Sequence, residues 1–390
     1  MSWLNVVRII QKLKQRDMKK SQFLPLTLAL LILATASCKK TTPELKEVFK
    51  NDFLIGTAMN SYQVHGRDPL AKPFIIKNFN SITAENEMKW ERIHPAPGVY
   101  SFAKADSIAE FAQKNNLVLI GHVLVWHSQT PDWVFRDSVG NTLSRDALLA
   151  RMKDHIFTVV GHFKGKVKGW DVVNEAIDDN GAMRKSLWYQ IIGEDYIQKA
   201  FEYAHEADPD AELYYNDYNN EQKVKRDGVI PIIKSLQQNG ARIDAVGIQG
   251  HWHLDEPDLN ELDESLSAYA ALGVKIVITE MEVNVLPTPP EVYGADIQQQ
   301  AKYLEELNPY KNGCPDSVQT QLANRYSDLF TIFMKHKKDI TRVTFWGIHD
   351  GYSWKNGWPI VGRTNYPLLF DRNYQPKPAF WSVIKTAKGE

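Results

Sequence analysis

Short apolar runs alternate with longer amphipathic stretches along most of the chain, as in proteins whose strands and helices alternate. The apolar runs are rich in β-branched residues and predict strands at Phe53–Met59, Ser81–Glu85, Val118–Trp126, Gly169–Glu175, Glu212–Asp217, Ala245–His251, Lys275–Glu282 and Arg342–Trp346. The amphipathic stretches predict helices at Ala103–Lys114, Ser144–His162, Glu194–Ala207, Lys223–Gln238, Leu259–Ala271, Gln319–Lys337 and Pro378–Thr386.

This order of elements predicts an α/β fold whose parallel strands are covered by helices. Repeated strand–helix units in a chain of 390 residues suit a single-domain (β/α)8 TIM barrel, which typically takes about 250 residues before insertions. A doubly wound open sheet is the structural alternative, but no glycine-rich phosphate loop follows the first predicted strand. We therefore predict one barrel domain over residues 49–388.

Polar and aromatic clusters follow the predicted strands at their C-terminal ends, where barrels of this type hold their active sites. Glu175 ends the run Trp170–Glu175, and Glu280 ends the run Ile276–Glu280. Most glutamates are solvated surface charges, but these two follow buried strands. Two carboxylates facing each other across a cleft can protonate a leaving group and attack a carbon, which is the chemistry of glycoside hydrolysis.

Net charge and aromatic content indicate which classes of molecule the protein binds. The formal net charge is -1, so no global basic excess points to nucleic acid or to an anionic membrane surface. The chain has 11 Trp and 16 Tyr, and these aromatic faces favour a carbohydrate ligand because they stack on sugar rings.

The N-terminal region has the features of a secretory signal. Met18, the natural start, precedes two lysines, and Phe23–Ala36 is apolar but too short for a membrane-spanning helix. Small residues precede Cys38, as in bacterial lipoproteins, so residues 1–37 are predicted as extension and signal peptide, Cys38 as the lipidation site, and 38–48 as a tether. This predicts a cell-envelope lipoprotein, on the outer membrane or cell surface. With Cys38 lipidated, Cys314 would be a lone and inert thiol. A soluble secreted form and an uncleaved anchor are the alternatives to the lipoprotein.

A set of motifs in a fixed order resembles the endo-β-1,4-xylanases of glycoside hydrolase family ten. The motifs are Thr83–Trp90, Gly121–Pro131, Trp170–Ala176, Tyr215–Asn219, Gly247–His251, Ile278–Glu280, Phe345–Gly347 with Ser353-Trp354, and Pro367–Asp371. The resemblance implies an endo-acting, retaining enzyme that cleaves internal β-1,4-xylosidic bonds of xylan and xylo-oligosaccharides, with no cofactor and no metal. A monomer is expected.

By this resemblance, Glu175 is the general acid/base and Glu280 the nucleophile. Such a pair must lie about 5–5.5 Å apart in a retaining enzyme. Asn174 would bond the sugar 2-hydroxyl, and His251, with Gln249 beside it, would bond the nucleophile. The other implied substrate contacts are Glu85, Asn86, Lys89, His122 and Trp126 on the non-reducing side, Trp346 and Trp354 over the cleaved sugar, and Tyr218 and Asn219 on the leaving-group side.

Several supporting residues and departures accompany these roles. Asp171, Asp217 and Asp350 are expected to orient other groups, and His127 to be structural. Glu282 and His349 replace the residues usual in the family, and the segments Lys355–Asn365 and Asn284–Ser317 are long. Because both segments border the predicted cleft, tolerance of substrate side chains is the property that they would alter.

Three other interpretations remain open at this point. A β-glucanase or mannanase could share the barrel and both glutamates, although Glu85–Trp90 and Gln249–His251 favour xylan. A non-catalytic, glycan-binding surface lipoprotein is the second interpretation; loss of either glutamate would favour it, and both are present. His251 and His253 would share one face of a strand and could bind a metal, yet no third ligand pattern accompanies them.

Overall fold

Parallel strands close into a ring in this computed structural model, which describes residues 42–288 and 305–390. The strands in the described ranges are β1 (Leu54–Met59), β2 (Ser81–Ala84), β3 (Val118–Trp126), β4 (Gly169–Asn174), β5 (Glu212–Asp217), β6 (Ala245–Ile248), β7 (His251–His253), β8 (Lys275–Asn284) and β9 (Ile340–Phe345). Their order is β6-β5-β4-β3-β2-β1-β9-β8, and a β6–β8 pairing closes the barrel. The (β/α)8 prediction is confirmed, and the open-sheet alternative is wrong because such a sheet would leave both edges unpaired.

Helices connect the strands on the outside of the ring. In the described ranges they are α1 (Leu45–Val48), α2 (Ser61–Val64), α3 (Ala71–Asn78), α4 (Trp90–Ile93), α5 (Ala103–Lys114), α6 (Arg145–His162), α7 (Leu187–Ile192), α8 (Tyr196–Ala207), α9 (Lys223–Gln238), α10 (Leu259–Ala270), α11 (Asp316–Lys335) and α12 (Pro378–Lys388). All seven predicted helices are present. Sequence periodicity missed α1 to α4 and α7, mostly because one or two turns carry too little periodic signal.

The predicted strand Ala245–His251 is divided into β6 and β7, which both pair with β8. The break falls at Gly250, whose φ of +81° lies in the left-handed region that favours glycine. The chain turns at this residue and then resumes the strand direction. The division places Gln249 and His251 at the mouth of the barrel.

The barrel domain begins earlier than the predicted residue 49. The compact unit comprises Glu44–Glu390, and Leu45 of α1 is fully buried in the main core. Residues 44–48, predicted as part of the tether, therefore pack with the barrel. Cys38 and the predicted signal segment lie outside the described residues, as does the middle of Asn284–Ser317. No helix in the described ranges is long and apolar enough to cross a membrane.

Two hydrophobic clusters support the ring. The larger one lies between strands and helices, and includes Trp170 and Phe201. The smaller one contains Ile120, Tyr214, Ala245 and Val277, contributed by β3, β5, β6 and β8. Since side chains alternate along each strand, one set faces the helices and the other fills the barrel interior. The interior set supports the polar residues at the C-terminal ends of the strands.

Candidate active site

Glu175 follows β4 in a strained backbone conformation. Its φ is +58°, a left-handed conformation that costs a residue other than glycine about 1–3 kcal/mol. The backbone is held on both sides, because Glu175 N donates to Asn216 O at 2.9 Å and Arg184 Nε donates to Glu175 O at 2.9 Å. The turn directs the carboxylate into the mouth of the barrel, where the side chain is 3% exposed.

A chain of side-chain amides joins Glu175 to Glu280. Gln249 Nε2 donates to Glu175 Oε1 at 3.0 Å and to Asn174 Oδ1 at 3.2 Å. Asn216 Nδ2 donates to the same Asn174 oxygen at 3.0 Å and to Glu280 Oε1 at 3.0 Å. The two carboxylates, 105 residues apart in sequence (280 minus 175), therefore belong to one hydrogen-bond network. Neither can change orientation without disturbing the other.

Glu175 is bonded through both carboxylate oxygens. Trp126 Nε1 donates to Oε2 at 2.8 Å, while Asn174 Nδ2 donates to Oε1 at 3.2 Å. His127 Nδ1 lies 3.8 Å from Oε2. These contacts fix the plane of the carboxylate, as a group that transfers a proton to one defined atom requires.

Glu280 is held as an anion by its surroundings. Burial acts to raise its pKa, but the hydrogen bond from His251 and the charges of His122, His251 and Lys89 hold the pKa below its ordinary value. His251 Nε2 lies 3.2 Å from Glu280 Oε2. The environment therefore favours the ionised form that a nucleophile needs.

Glu282 connects this histidine to the loop that covers the site. The carboxylate is fully buried and accepts from His251 Nδ1 at 3.0 Å, from Ser353 Oγ at 2.8 Å and from Trp354 Nε1. Burial lowers the pKa of His251, yet its bonds to Glu280 and Glu282 outweigh this and raise it. Glu282 thus keeps both His251 and the Trp354 indole in place.

Two adjoining cavities meet at His251. The smaller one, of about 170 Å³, contains both glutamates and is lined by Glu85, Asn86, Lys89, His122, Trp126, Gln129, Asn174, Glu175, Gln249, His251, Glu280, Trp346 and Trp354. The larger one, a cleft of about 980 Å³, includes Tyr218 and Asn219 in its wall. The structure thus brings every predicted contact residue to one of these two spaces. Tyr218 and Asn219 line the larger one, His251 lines both, and the others line the smaller one.

Lys89 forms the cationic wall of the smaller cavity. Its Nζ donates to Asn86 Oδ1 at 3.0 Å and to Gln129 Oε1 at 2.7 Å. Burial lowers the pKa of Lys89, although Glu280, Glu85 and Glu175 oppose this. Glu85 accepts from Asn60 Nδ2 at 3.1 Å, and burial raises its pKa. This wall therefore offers a hydroxyl-rich ligand both donors and acceptors.

The three supporting aspartates lie behind the contact residues. Asp171 Oδ2 is 2.9 Å from His122 Nδ1, which orients that ring. Asp217 accepts from Tyr215 and lies 2.9 Å from Lys225 Nζ, and burial raises its pKa to about 6. Asp350 lies 3.0 Å from Lys377 Nζ. Each contacts a neighbouring protein group, as expected for residues that orient others.

Sequence reasoning missed three residues of the site. Asn216 bridges to the nucleophile, Gln129 binds Lys89, and Arg184 joins the Glu175 backbone to Tyr218, with its Nη2 donating to Tyr218 OH at 2.8 Å. Asn216 lies within the motif Tyr215–Asn219 and two positions after Tyr214, which belongs to the interior cluster, so both lie on the same face of β5. The alternation of side chains along a strand could therefore have identified Asn216 as a residue of the site.

In the described ranges, no group of three or more His, Cys, Asp or Glu side chains could hold a metal ion. His253, the second histidine of the suggested metal pair, has its Nδ1 3.1 Å from Asn284 Nδ2. His251 lies between the two carboxylates described above. Both rings are thus engaged in hydrogen bonds of the cleft.

Comparison with known proteins places the chain in a family. The model of "Glycosyl hydrolase family 10" matches residues 44–386. "Endo-1,4-beta-xylanase A" of Xylanibacter ruminicola is 48% identical over 358 residues, covering 92% of this chain and 97% of that protein.

Solved structures agree. A GH10 endoxylanase retrieved from a sugarcane soil metagenome has a TM-score of 0.85 at 45% identity, covering 87% of this chain and 99% of the other. A mutant protein solved in complex with xylotriose has a TM-score of 0.78 at 38% identity, covering 88% and 99%. With a family model matched over nearly the whole barrel, this chain belongs to glycosyl hydrolase family 10.

Proposed function

We propose that this protein is an endo-1,4-β-xylanase that acts with retention of anomeric configuration. The observation that carries the proposal is the single amide network that joins Glu175 to Glu280 inside the smaller cavity. Their environments differ, because Glu280 is held ionised by His251 whereas Glu175 is bonded by neutral donors. One group is thus suited to attack carbon and the other to transfer a proton.

The proposed reaction has two displacements. Glu280 attacks the anomeric carbon while Glu175 gives its proton to the departing glycosidic oxygen, so a covalent glycosyl-enzyme forms and the leaving sugar departs. Glu175, now a carboxylate, takes a proton from water, and the hydroxide oxygen displaces Glu280 from the sugar. Both inversions together restore the β configuration and return both glutamates to their starting states.

Xylan as the substrate is supported by the names of the relatives and by the complex with xylotriose. Endo action is supported by the shape of the site, since the cleft beside Tyr218 adjoins the smaller cavity at His251, which lines both. A polymer chain can therefore occupy both sides of the glutamates. A β-glucanase or mannanase, and a glycan-binding protein without catalysis, have no comparable support.

The direct test measures reducing ends released from xylan, β-glucan and mannan under identical conditions. We expect release from xylan to exceed the other two, with internal cleavage giving a rapid fall in viscosity. Proton NMR of the first product should show the β-anomer. An α-anomer would disprove retention, and equal rates on β-glucan would disprove the assignment of substrate.

We further propose that Cys38 is lipidated after removal of the signal segment, which would place the enzyme on the cell envelope. A monomer remains our separate expectation. Dual or triple acylation would give stable anchoring, whereas one chain would not. Cys38→Ser, expressed in the native host, should leave the membrane fraction or stay unprocessed. Membrane retention of the variant with a fully cleaved N-terminus would contradict the anchor.

A further inference from the structure

Lys355 and Arg363 are two buried cations. In the described part of the chain, neither forms a salt bridge with a carboxylate. Lys355 is 3% exposed and Arg363 is 4% exposed, and both belong to the segment Lys355–Asn365. Burial lowers the pKa of Lys355 to about 8 and that of Arg363 to about 10. Arg363 donates from Nη2 to Pro287 O at 2.6 Å, and its Nε finds no acceptor among the described residues. A buried cation without an anion is costly, so this region favours binding of negative charge.

Two tryptophans hold Lys355 at the wall of the larger cleft, the one that Tyr218 and Asn219 also line. Its Nζ lies 4.5 Å from the ring centroid of Trp354 and 4.5 Å from that of Trp358. The two indoles stack with centroids 4.8 Å apart. Lys355 and Trp358 both line the cleft of about 980 Å³. The aromatic faces position the ammonium beside the space where the leaving part of a polymer would lie.

The neighbouring acids do not neutralise this charge. Glu282 is the carboxylate whose charge acts on Lys355, but its oxygens already accept from His251, Ser353 and Trp354. Arg325, also in the cleft wall, differs in this respect. Burial lowers its pKa, and four acids, Asp328, Asp255, Asp258 and Glu256, oppose that shift. Among the described residues, positive charge without a dedicated acid is therefore concentrated at Lys355.

His253 adds a neutral donor in the same cleft. Its Nδ1 lies 3.1 Å from Asn284 Nδ2, which can only donate, so the ring proton is on Nε2. Burial, together with the charges of Lys355 and Arg363, lowers the pKa of His253 to about 4. The ring is consequently uncharged at neutral pH and offers one N–H. An ammonium and an imidazole N–H then line one wall.

We propose that Lys355, with His253, binds the carboxylate of a uronic acid branch on the leaving-group side of the xylan chain. This proposal rests on the proposed xylanase function. A sugar carboxylate is the acidic group that a branched polysaccharide can bring into this cleft. Because Lys355 is buried, salt screens the attraction between its ammonium and the sugar carboxylate less than it would on the surface. The segment Lys355–Asn365 would thus confer a preference for acidic over neutral branches.

The experiment compares one branched xylo-oligosaccharide in two forms, with its uronic acid intact and with the carboxyl reduced to an alcohol. The wild-type protein should cleave the acidic form with a kcat/KM about 10-fold or more above that of the reduced form, the size of one charge-assisted hydrogen bond. Lys355→Gln should bring this ratio close to one, whereas Lys355→Arg should retain most of it. Lys385→Gln, in the exposed part of α12, is the matched control and should leave the ratio unchanged.

The ratio is internal to each variant, so partial loss of folding cannot imitate the effect. A wild-type ratio near one, or an unchanged ratio in Lys355→Gln, would overturn the site. Mass spectrometry of the products should find the branch on the leaving product, and a branch found exclusively on the other product would also overturn it. Failure of the wild type to cleave even unbranched xylo-oligosaccharides would instead contradict the proposed xylanase function.

Discussion

The two glutamates differ in what surrounds them, and this difference assigns their chemistry. Glu280 is bonded by a histidine whose own pKa is raised, while Glu175 receives bonds from an indole and two amides. The first arrangement stabilises a negative charge, and the second orients a carboxyl group that must gain and lose a proton. Loss of either residue should therefore affect a different step.

Glu175→Ala should lower the activity on xylan by about 10²–10⁴-fold, because the departing oxygen is no longer protonated. With an activated aryl glycoside, formation of the glycosyl-enzyme should survive and its hydrolysis should slow. Sodium azide should then accelerate turnover and yield a β-glycosyl azide, while sodium chloride at equal ionic strength should not. A β-glycosyl azide from Glu280→Ala instead would mean that the two roles are reversed.

His251→Asn should move the acid limb of the pH profile to higher pH. In the wild type, Glu280 has a lowered pKa and stays ionised at pH values where an ordinary glutamate protonates. Without the histidine, burial is less opposed, so Glu280 gains its proton at higher pH and activity is lost earlier on acidification. We also expect kcat/KM at neutral pH to fall about 10- to 100-fold, as for loss of a charged hydrogen bond.

The measurement is kcat/KM between about pH 3.5 and pH 8, a range that spans the ordinary pKa values of glutamate and histidine. His162→Asn on α6 is the matched control, because His162 bonds Asp106 on the outer face and should leave the profile unchanged. An acid limb at the same pH in His251→Asn would contradict this account of Glu280.

At the scale of elements, strand register brings the network together. Trp126 of β3 pairs with Asn174 of β4, which pairs with Asn216 of β5, which in turn pairs with Gly247 of β6. Successive strands thus present their polar side chains at one level of the barrel. A side chain at Gly247 would occupy this level, because a Cβ there would lie 2.3 Å from Asn216 Oδ1.

Gly247→Ala should therefore displace Asn216 and weaken its bond to Glu280. We expect a fall in kcat/KM of about 10-fold, the effect of one lost hydrogen bond, and a destabilisation of about 1–3 kcal/mol from overpacking. Urea unfolding and xylan kinetics would measure the two effects. Gly161→Ala in α6 is the control, since nothing lies within 4 Å of its Cβ and the change should be neutral or stabilising. Unaltered activity in Gly247→Ala would show that Asn216 is not needed in its present position.

At the scale of the whole molecule, burial in the barrel disfavours the charged form of one carboxylic acid, Glu221. Glu221 is fully buried at the cleft, and burial raises its pKa to about 7, although Trp252 Nε1 donates to it at 3.1 Å. The second carboxylate oxygen has no partner among the described residues. A group whose pKa is raised by folding contributes stability below its unfolded pKa, and this contribution is lost as pH rises through the folded pKa.

Glu221→Gln should consequently be more stable than the wild type at pH 8 and lose this advantage between about pH 7 and pH 4.5, the ordinary glutamate value. Thermal midpoints across this range provide the measurement. Glu264→Gln in α10 is the control, because Glu264 is exposed and its substitution should shift the midpoint little at any pH. If the difference in thermal midpoint between Glu221→Gln and the wild type does not vary with pH, the pKa of Glu221 is not raised by folding.

The sequence by itself determined the barrel, its eight strand segments apart from the division into β6 and β7, and the positions of Glu175 and Glu280. These properties are carried by local patterns, since apolar runs, amphipathic periods and a polar residue at a strand end are all legible within about ten residues. The family motifs added the contact residues, all of which line the two cavities that adjoin at His251. Elements and site residues that a short stretch of sequence identifies could therefore be predicted.

The tertiary structure alone decided which side chains bond to which. Asn216 reaches Glu280 across 64 residues, and Glu282 holds Trp354 across 72 residues. Lys355 is buried against two stacked indoles, with no acid among the described residues bonded to it. These contacts depend on strand register, on closure of the β6–β8 edge and on the path of the covering loop. Such distances are set by the packing of the whole ring, and no local pattern in the chain encodes them.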